Sequence, residues 1–252
     1  ADSDWTRAIL EAIDRPGAPP LALASISSLH WSEGCIIDTP AVAAALKRNG
    51  AFFLLDATQS VGVIDHDVRT LDPDFLAFPT YKWVLGPYGR AFLYVAKRHQ
   101  TGVPIEQTPH GRRSVKAEND LYYADTAYVS NARRYDMGER DHFISMEMAS
   151  LGMELVSSWG VDAVRERLAY LTGRMADGLA GTGVHTHPAS RRTPHILSIG
   201  FPRGMPRGFA DRLAADNVYV AQRIGRIRIA PHVYNDETDV DRCVAAIRRH
   251  IA

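Results

Sequence analysis

Two residues in this chain combine the right chemical types with the right local settings for carbonyl-cofactor chemistry. Asp56 stands in Leu54-Leu55-Asp56-Ala57-Thr58-Gln59, and Lys82 in Phe78-Pro79-Thr80-Tyr81-Lys82-Trp83. A lysine amine condenses with an aldehyde to give a Schiff base, and a carboxylate can pair with a protonated ring nitrogen. Pyridoxal 5'-phosphate (PLP) needs both partners. A lysine after an apolar strand is ordinarily a solvated strand end, so the pairing with Asp56, rather than the lysine alone, carries this reading.

The elements that must hold these residues are short. Phe52 to Leu55 precedes Asp56, and Phe75 to Phe78 precedes Lys82. Apolar runs of that length, bounded by polar and turn residues, read as buried strands. Both polar residues then lie at the carboxyl ends of strands, where open α/β sheets bind ligands. Leu21 to Leu29 reads as a further strand. Thr39-Pro40 starts a helix over Ala41 to Asn49, with proline in its first turn and Gly50 beyond its end. Strand, helix and strand in that order predict a βαβ unit in a parallel sheet. Ala91 to Ala96 is another strand, reached through Gly86-Pro87-Tyr88-Gly89. Asp4 to Ile13 reads as a short amphipathic helix capped by Asp4 or Ser3.

From Gln100 to Arg134 the chain is polar, irregular and too long for a plain connector, which predicts a functional or interfacial stretch. Phe143 to Leu155 and Val161 to Leu179 have helical spacing around a Trp159-Gly160 break. Trp159, Met146, Met148 and Met153 are expected in the core. His195 to Phe201, Val218 to Ala221 and Arg226 to Ala230 read as strands, and Asp236-Glu237-Thr238-Asp239 opens a last helix ending near His250. The second half therefore predicts a smaller α+β unit.

The chain has 252 residues, 46% of them hydrophobic, enough for a large core in one or two domains. Lysine plus arginine equal aspartate plus glutamate at 29 each, so charge gives no reason to expect nucleic acid or an acidic membrane as a partner. Cys35 and Cys243 form neither a disulfide framework nor metal-ligand spacing. No apolar run approaches about 18 residues and no signal peptide is visible, so a cytoplasmic protein is expected. The chain opens Ala1-Asp2-Ser3 without methionine, as a processed or partial chain would.

Three stretches, in order, resemble the class V aminotransferase family of fold-type I PLP enzymes, which includes cysteine desulfurases, kynureninases and isopenicillin-epimerase-like proteins. They are Gly50 to Gly62, Asp72-Pro73-Asp74-Phe75 through Tyr81-Lys82-Trp83-Val84-Leu85-Gly86-Pro87, and Arg226-Ile227-Arg228-Ile229-Ala230-Pro231-His232-Val233-Tyr234-Asn235. The resemblance implies an α/β fold of the PLP-dependent transferase type I. Residues 1–140 would form part of the large cofactor-binding domain with a mainly parallel sheet. Residues 141–252 would supply connecting helices and a smaller α+β domain. It implies PLP as cofactor, an amino-acid substrate and a homodimer. By the same resemblance Lys82 forms the Schiff base and moves the Cα proton, Asp56 pairs with the ring nitrogen, and Gln59 contacts the ring oxygen or the substrate. Tyr81 and Thr80 are the phosphate candidates, with Pro79 standing where the family usually has serine. Arg228 matches the arginine that grips the substrate α-carboxylate, a task suited to its two-pronged fork.

The chain departs from the family pattern in several places. Trp31 stands where the family usually has asparagine, and an indole cannot accept a hydrogen bond; Trp31 or His30 either shapes the substrate pocket or simply packs. Gly138-Glu139-Arg140-Asp141 replaces the usual Gly-Thr, so Arg140 is either a phosphate partner across a dimer or half of an intrachain salt bridge. Little chain precedes Ser25, and the family's phosphate loop and ring-stacking residue have no counterpart here. The N-terminal third of the usual chain is expected to be missing, which predicts weak cofactor binding by these residues alone. Neither Cys35 nor Cys243 lies where a persulfide-forming desulfurase needs its cysteine. Transamination or lysis at Cα or Cβ is therefore expected, with a non-catalytic scaffold or partner subunit as the competing reading.

Overall fold

The computed structural model describes residues 3–114 and 125–251. Part of the polar stretch expected to be functional, residues 115–124, lies outside the described residues.

The first half builds a four-stranded sheet. Helix α1 (Trp5–Ile13) leads to β1 (Leu23–Ser27), α2 (Thr39–Arg48), β2 (Phe52–Asp56), the single turn α3 (Val68–Leu71), β3 (Phe75–Pro79) and β4 (Ala91–Val95). The strands lie in sequence order, with β1, β2 and β3 parallel and β4 antiparallel to β3. Registers Ser27↔Asp56 and Asp56↔Ala77 bring the carboxyl ends of the three parallel strands to one edge. Helix α2 starts earlier than Ala41 because Asp38 caps it, its carboxylate accepting from Ala41 N at 3.0 Å. Val42, Ala45 and Leu46 are fully buried, and Val42 and Leu46 cluster with Phe53 and Leu55 of β2. Burying a side chain such as Leu46 contributes about 1.5–3 kcal/mol.

Strands β5 (Arg112–Ser114) and β6 (Asp125–Tyr128) pair antiparallel within the stretch read as irregular. Then follow α4 (Phe143–Trp159), α5 (Val161–Gly178), β7 (His185–Thr186), β8 (Leu197–Gly200), α6 (Phe209–Ala215), β9 (Ala221–Arg223), β10 (Arg226–Ile229) and α7 (Glu237–Ile251). A second sheet, ordered β7-β8-β10-β9, is antiparallel throughout. Its core joins Leu197, Ile199, Ile227 and Ile229 to Leu168, Leu171 and Met175 of α5 and to Val240 and Ile247 of α7. Strand β9 begins at Ala221, later than the sequence suggests, and residues 218–220 carry no strand pairing among the described residues.

The expected burial of the α4 residues is overturned. Met148 is 50% exposed, Trp159 38% and Leu151 64%; Met146 is also exposed and Met153 only partly buried. The buried stripe of α4 is Ala149, Gly152 and Val156. A Cβ on Gly152 would sit 2.4 Å from Val84 O, so the helix backbone lies directly on the Val84–Leu85 segment. That small-residue contact turns the large apolar side chains outward. No described helix is long and apolar enough to cross a membrane.

Candidate active site

Lys82 lies in the connection between β3 and β4, a loop fixed from within. Thr80 is fully buried; its N–H donates to Arg90 O at 3.0 Å and its hydroxyl is shared between Pro87 O (2.9 Å) and Arg90 O (3.2 Å). Gly86 N donates back to Thr80 O at 2.7 Å. Thr80, read from the sequence as a phosphate candidate, has thus committed its hydroxyl proton to closing the loop that carries Lys82. Arg90 anchors the same loop to the start of α4 through Ser145 Oγ (2.7 Å) and Arg140 O (2.9 Å).

Asp56 ends β2 and is lightly used by its surroundings. Oδ1 accepts from Thr58 N at 3.0 Å, and Oδ2 meets Ser27 Oγ at 3.5 Å. Acceptor capacity therefore remains on a carboxylate at the sheet's ligand-binding edge. Burial holds the Lys82 ammonium below its ordinary range; the Arg228 guanidinium pushes the same way, and Asp56 opposes both. A larger share of Lys82 is thus neutral than in a solvated lysine. Its Nζ stands 5.5 Å from the Tyr81 ring centre, and Tyr81 stacks on Tyr88 at 4.3 Å.

Arg228 reaches this group from the second sheet. Its Nη2 donates to Gln59 Oε1 at 3.2 Å, and Trp83 Nε1 donates to the same oxygen at 3.2 Å. Burial, helped by Arg223, disfavours its charge. Its Nε is buried with no hydrogen-bond partner among the described residues. A buried guanidinium N–H without an acceptor is costly unless a ligand supplies one. Gly62, at φ +94°, lets the turn after Gln59 close on Trp83: a Cβ there would meet Trp83 O at 2.8 Å.

Behind Gln59 lies a residue whose role was not legible in the sequence. His195 is fully buried, and its Nε2 donates to the Gln59 carbonyl at 2.7 Å, which fixes the neutral tautomer with Nδ1 bare. Burial pushes its pKa down to about 3. Its ring meets Trp83 edge-on at 4.4 Å, and Trp83 stacks on His232 at 5.5 Å. Lys82, Asp56, Gln59 and Arg228 are thus brought together with Trp83 and His195 behind them. His30 and Trp31 make their ring contacts with Trp5 (4.1 Å from His30) and with each other (6.3 Å) rather than with that group. Arg140 is ion-paired within the chain to Asp136 and Asp141.

The bare Arg228 Nε, the open Asp56 carboxylate and Lys82, whose pKa burial lowers, fit a cofactor carrying an aldehyde and a basic ring nitrogen together with a substrate carboxylate. The phosphate end is less furnished, since Thr80 and Arg140 are occupied within the chain.

The family model for aminotransferase class-V matches residues 6–243. The chain is 30% identical to the uncharacterized aminotransferase YcbU of Bacillus subtilis (strain 168), with 98% of this chain and 67% of that protein covered. It is 26% identical to isopenicillin N epimerase of Amycolatopsis lactamdurans over 95% of this chain and 63% of that protein. The apo cysteine desulfurase of Thermococcus onnurineus NA1 superposes with a TM-score of 0.81 at 20% identity, covering 98% of this chain and 62% of that one, a likeness of fold. The chain thus spans about two thirds or less of these proteins' lengths.

Proposed function

The chain belongs to the class V aminotransferase family, and from that membership we propose that it provides the catalytic group of a PLP-dependent enzyme acting on an amino acid. The family's cofactor, PLP, supplies when bound an aldehyde that takes up the substrate amine and a protonated ring that accepts the electron pair left at Cα. Lys82 would hold the cofactor and would move the Cα proton, work suited to an amine whose pKa burial has lowered. Asp56 would pair with the ring nitrogen. Arg228 takes the substrate carboxylate on the edge that carries its bare Nε, while Gln59 and Trp83 set the guanidinium's orientation. Tyr81, stacked on Tyr88 beside Lys82, remains the candidate for the cofactor phosphate.

The observation that carries this reading is Arg228, a half-buried arginine that donates to Gln59 while its buried Nε has no partner among the described residues and is left for an anionic ligand. Among the family's reactions, transamination or lysis at Cα or Cβ is favoured over persulfide formation. Both cysteines are buried, with thiols pushed up to about 11 (Cys35) and about 12 (Cys243), mainly by burial. Thiols in that state are poor nucleophiles. Residues 1–140 would act as part of the cofactor-binding domain and 141–252 as the connecting and smaller domain, in a homodimer.

A second reading, a scaffold that binds cofactor only with further help, is favoured by the internal commitments of Thr80 and Arg140. PLP titration followed by absorbance separates the two readings. Saturable binding that shifts spectrally with amino acids, but not with their decarboxylated amines, supports the enzyme. Spectra unchanged even at PLP concentrations that would saturate weak binding support the scaffold.

A further inference from the structure

Away from Lys82 and Arg228, three side chains distant in sequence converge on one point. Glu33 and Cys35 flank Gly34 in the turn after β1, and His187 follows β7 in the second half. Cys35 is 1% exposed and His187 6%. Glu33 Oε2 lies 3.8 Å from His187 Nε2 and 3.7 Å from Cys35 Sγ, and the three ligand atoms lie within 4.8 Å of one another. His187 Nε2 is buried without a hydrogen-bond partner among the described residues, although it points at a carboxylate. The Cys35 thiol donates a long hydrogen bond to Glu33 Oε2, whereas His187 Nε2 at 3.8 Å from the same oxygen is beyond hydrogen-bond range. The two distances to Glu33 are close to the spacing of ligands around a small cation. In a tetrahedral zinc site, Zn–N and Zn–O near 2.0–2.1 Å and Zn–S near 2.3 Å put neighbouring donors about 3.3–3.6 Å apart. The two Glu33 separations exceed those values by only a few tenths of an ångström, and the Cys35–His187 pair lies within 4.8 Å.

We infer that Glu33, Cys35 and His187 form a three-ligand site for a zinc-class divalent cation that clasps the turn after β1 to the second half of the chain. The backbone has already brought the two segments together. Cys35 bridges to Arg192, Thr193 N donates to Gly34 O at 2.7 Å, and Ile36 N donates to Arg191 O at 3.0 Å. Gly34 has φ +69°, and a Cβ there would meet Ile196 O at 2.8 Å, so the turn is seated against the second sheet. Trp5 Nε1 donates to Glu33 Oε2 at 3.1 Å and orients that carboxylate. One thiolate, one carboxylate and one neutral imidazole form a borderline-soft donor set that suits zinc better than calcium or magnesium. Their two negative charges match a divalent cation, which limits the repulsion from Arg226 and Arg191 nearby. Binding displaces the Cys35 thiol proton to solvent and forms the Cys35–metal bond, with no change of oxidation state. The Glu33 side chain keeps 19% exposure, and water can occupy the fourth position from that side. The clasp would stiffen the turn carrying His30 and Trp31.

The test is titration of the cofactor-free chain with cobalt(II), then competition with zinc(II). One equivalent should bind and give the intense visible bands of four-coordination together with a thiolate charge-transfer band. Cys35→Ser should abolish that band and His187→Asn should weaken binding by more than about tenfold, whereas Cys243→Ser should change neither. Zinc at about a hundredfold excess over its Kd should raise the melting temperature by roughly 5–10 °C. Weak six-coordinate spectra in the parent chain, or a charge-transfer band that survives Cys35→Ser, would overturn the site. The parent-chain spectrum decides even where a variant fails to fold.

Discussion

Asp74 and Asp56 stand at opposite ends of the β2–β3 pair, and the fold treats them differently. Asp74, at the amino end of β3, is saturated: Phe53 N donates at 2.7 Å, Arg98 Nε at 2.8 Å and His99 Nε2 at 2.5 Å. Arg98 also grips Asp72 at 2.6 Å, and His99 stacks on Phe75 at 5.2 Å. Asp56, at the carboxyl end of β2, has one local N–H and one long hydroxyl contact. The same contrast holds for the cations. Arg98 is fully engaged, whereas Arg228 keeps a bare Nε and Lys82 is held below its ordinary pKa. One end of the sheet uses its charges for stability. The other end keeps them available, as a site built for a charged ligand must.

The largest effect expected from this contrast is on acid stability. His195, depressed to about 3 in the fold against about 6.5 when unfolded, makes the unfolded chain bind the extra proton between those values. Its contribution is present above pH 6.5 and is lost as pH falls, on the order of 4 kcal/mol by pH 3. Asp74 acts in a separate window. Burial raises its pKa, but the bonds from Phe53, His99 and Arg98 outweigh that and hold it below the usual range. Its contribution is intact above about pH 4 and disappears below. Denaturant midpoints against pH should show both, with His195→Gln flattening the first window and Asp74→Asn the second. Identical curves for parent and variants would break the assignment.

Asp74→Ala should then cost about 3 kcal/mol of fold stability at neutral pH, because it strands Arg98, His99 and the Phe53 N–H. Arg228→Ala should weaken binding of an amino-acid carboxylate by about 2–3 kcal/mol, read by spectral titration, while barely moving the denaturant midpoint. The smallest shift belongs to Asp56→Asn and Lys82→Met. Each should change the stability of the cofactor-free chain by less than about 1 kcal/mol, and Lys82→Met in the stabilising direction, since it removes a partly desolvated charge. A loss near that of Asp74→Ala would erase the distinction between the two ends.

The positions of Asp56 and Lys82 at or just beyond strand ends were legible in the sequence because short apolar runs precede them. The βαβ unit and the parallel pairing of its strands followed from the same runs. The orientation of α4 was not legible. Apolar composition says that a helix has apolar residues, while contact at Ala149, Gly152 and Val156 decides which of them are covered. The meeting of Gln59 with Arg228 and His195, and of Glu33 and Cys35 with His187, was hidden for another reason. Those contacts join the two halves across long stretches of chain, and no local spacing encodes them. The commitment of the Thr80 hydroxyl to its own loop depends on backbone closure from Gly86 to Arg90, which residue types alone do not specify.

Borohydride reduction of the PLP-treated chain, followed by peptide mass mapping, tests the division between the two ends most directly. Reduction should fix the pyridoxyl group on Lys82, and Lys82→Met should remove the label. A label on Lys47 or Lys97 with Lys82 unmodified, or bound PLP that leaves every lysine free, would contradict the placement of the active site at the carboxyl end of the sheet.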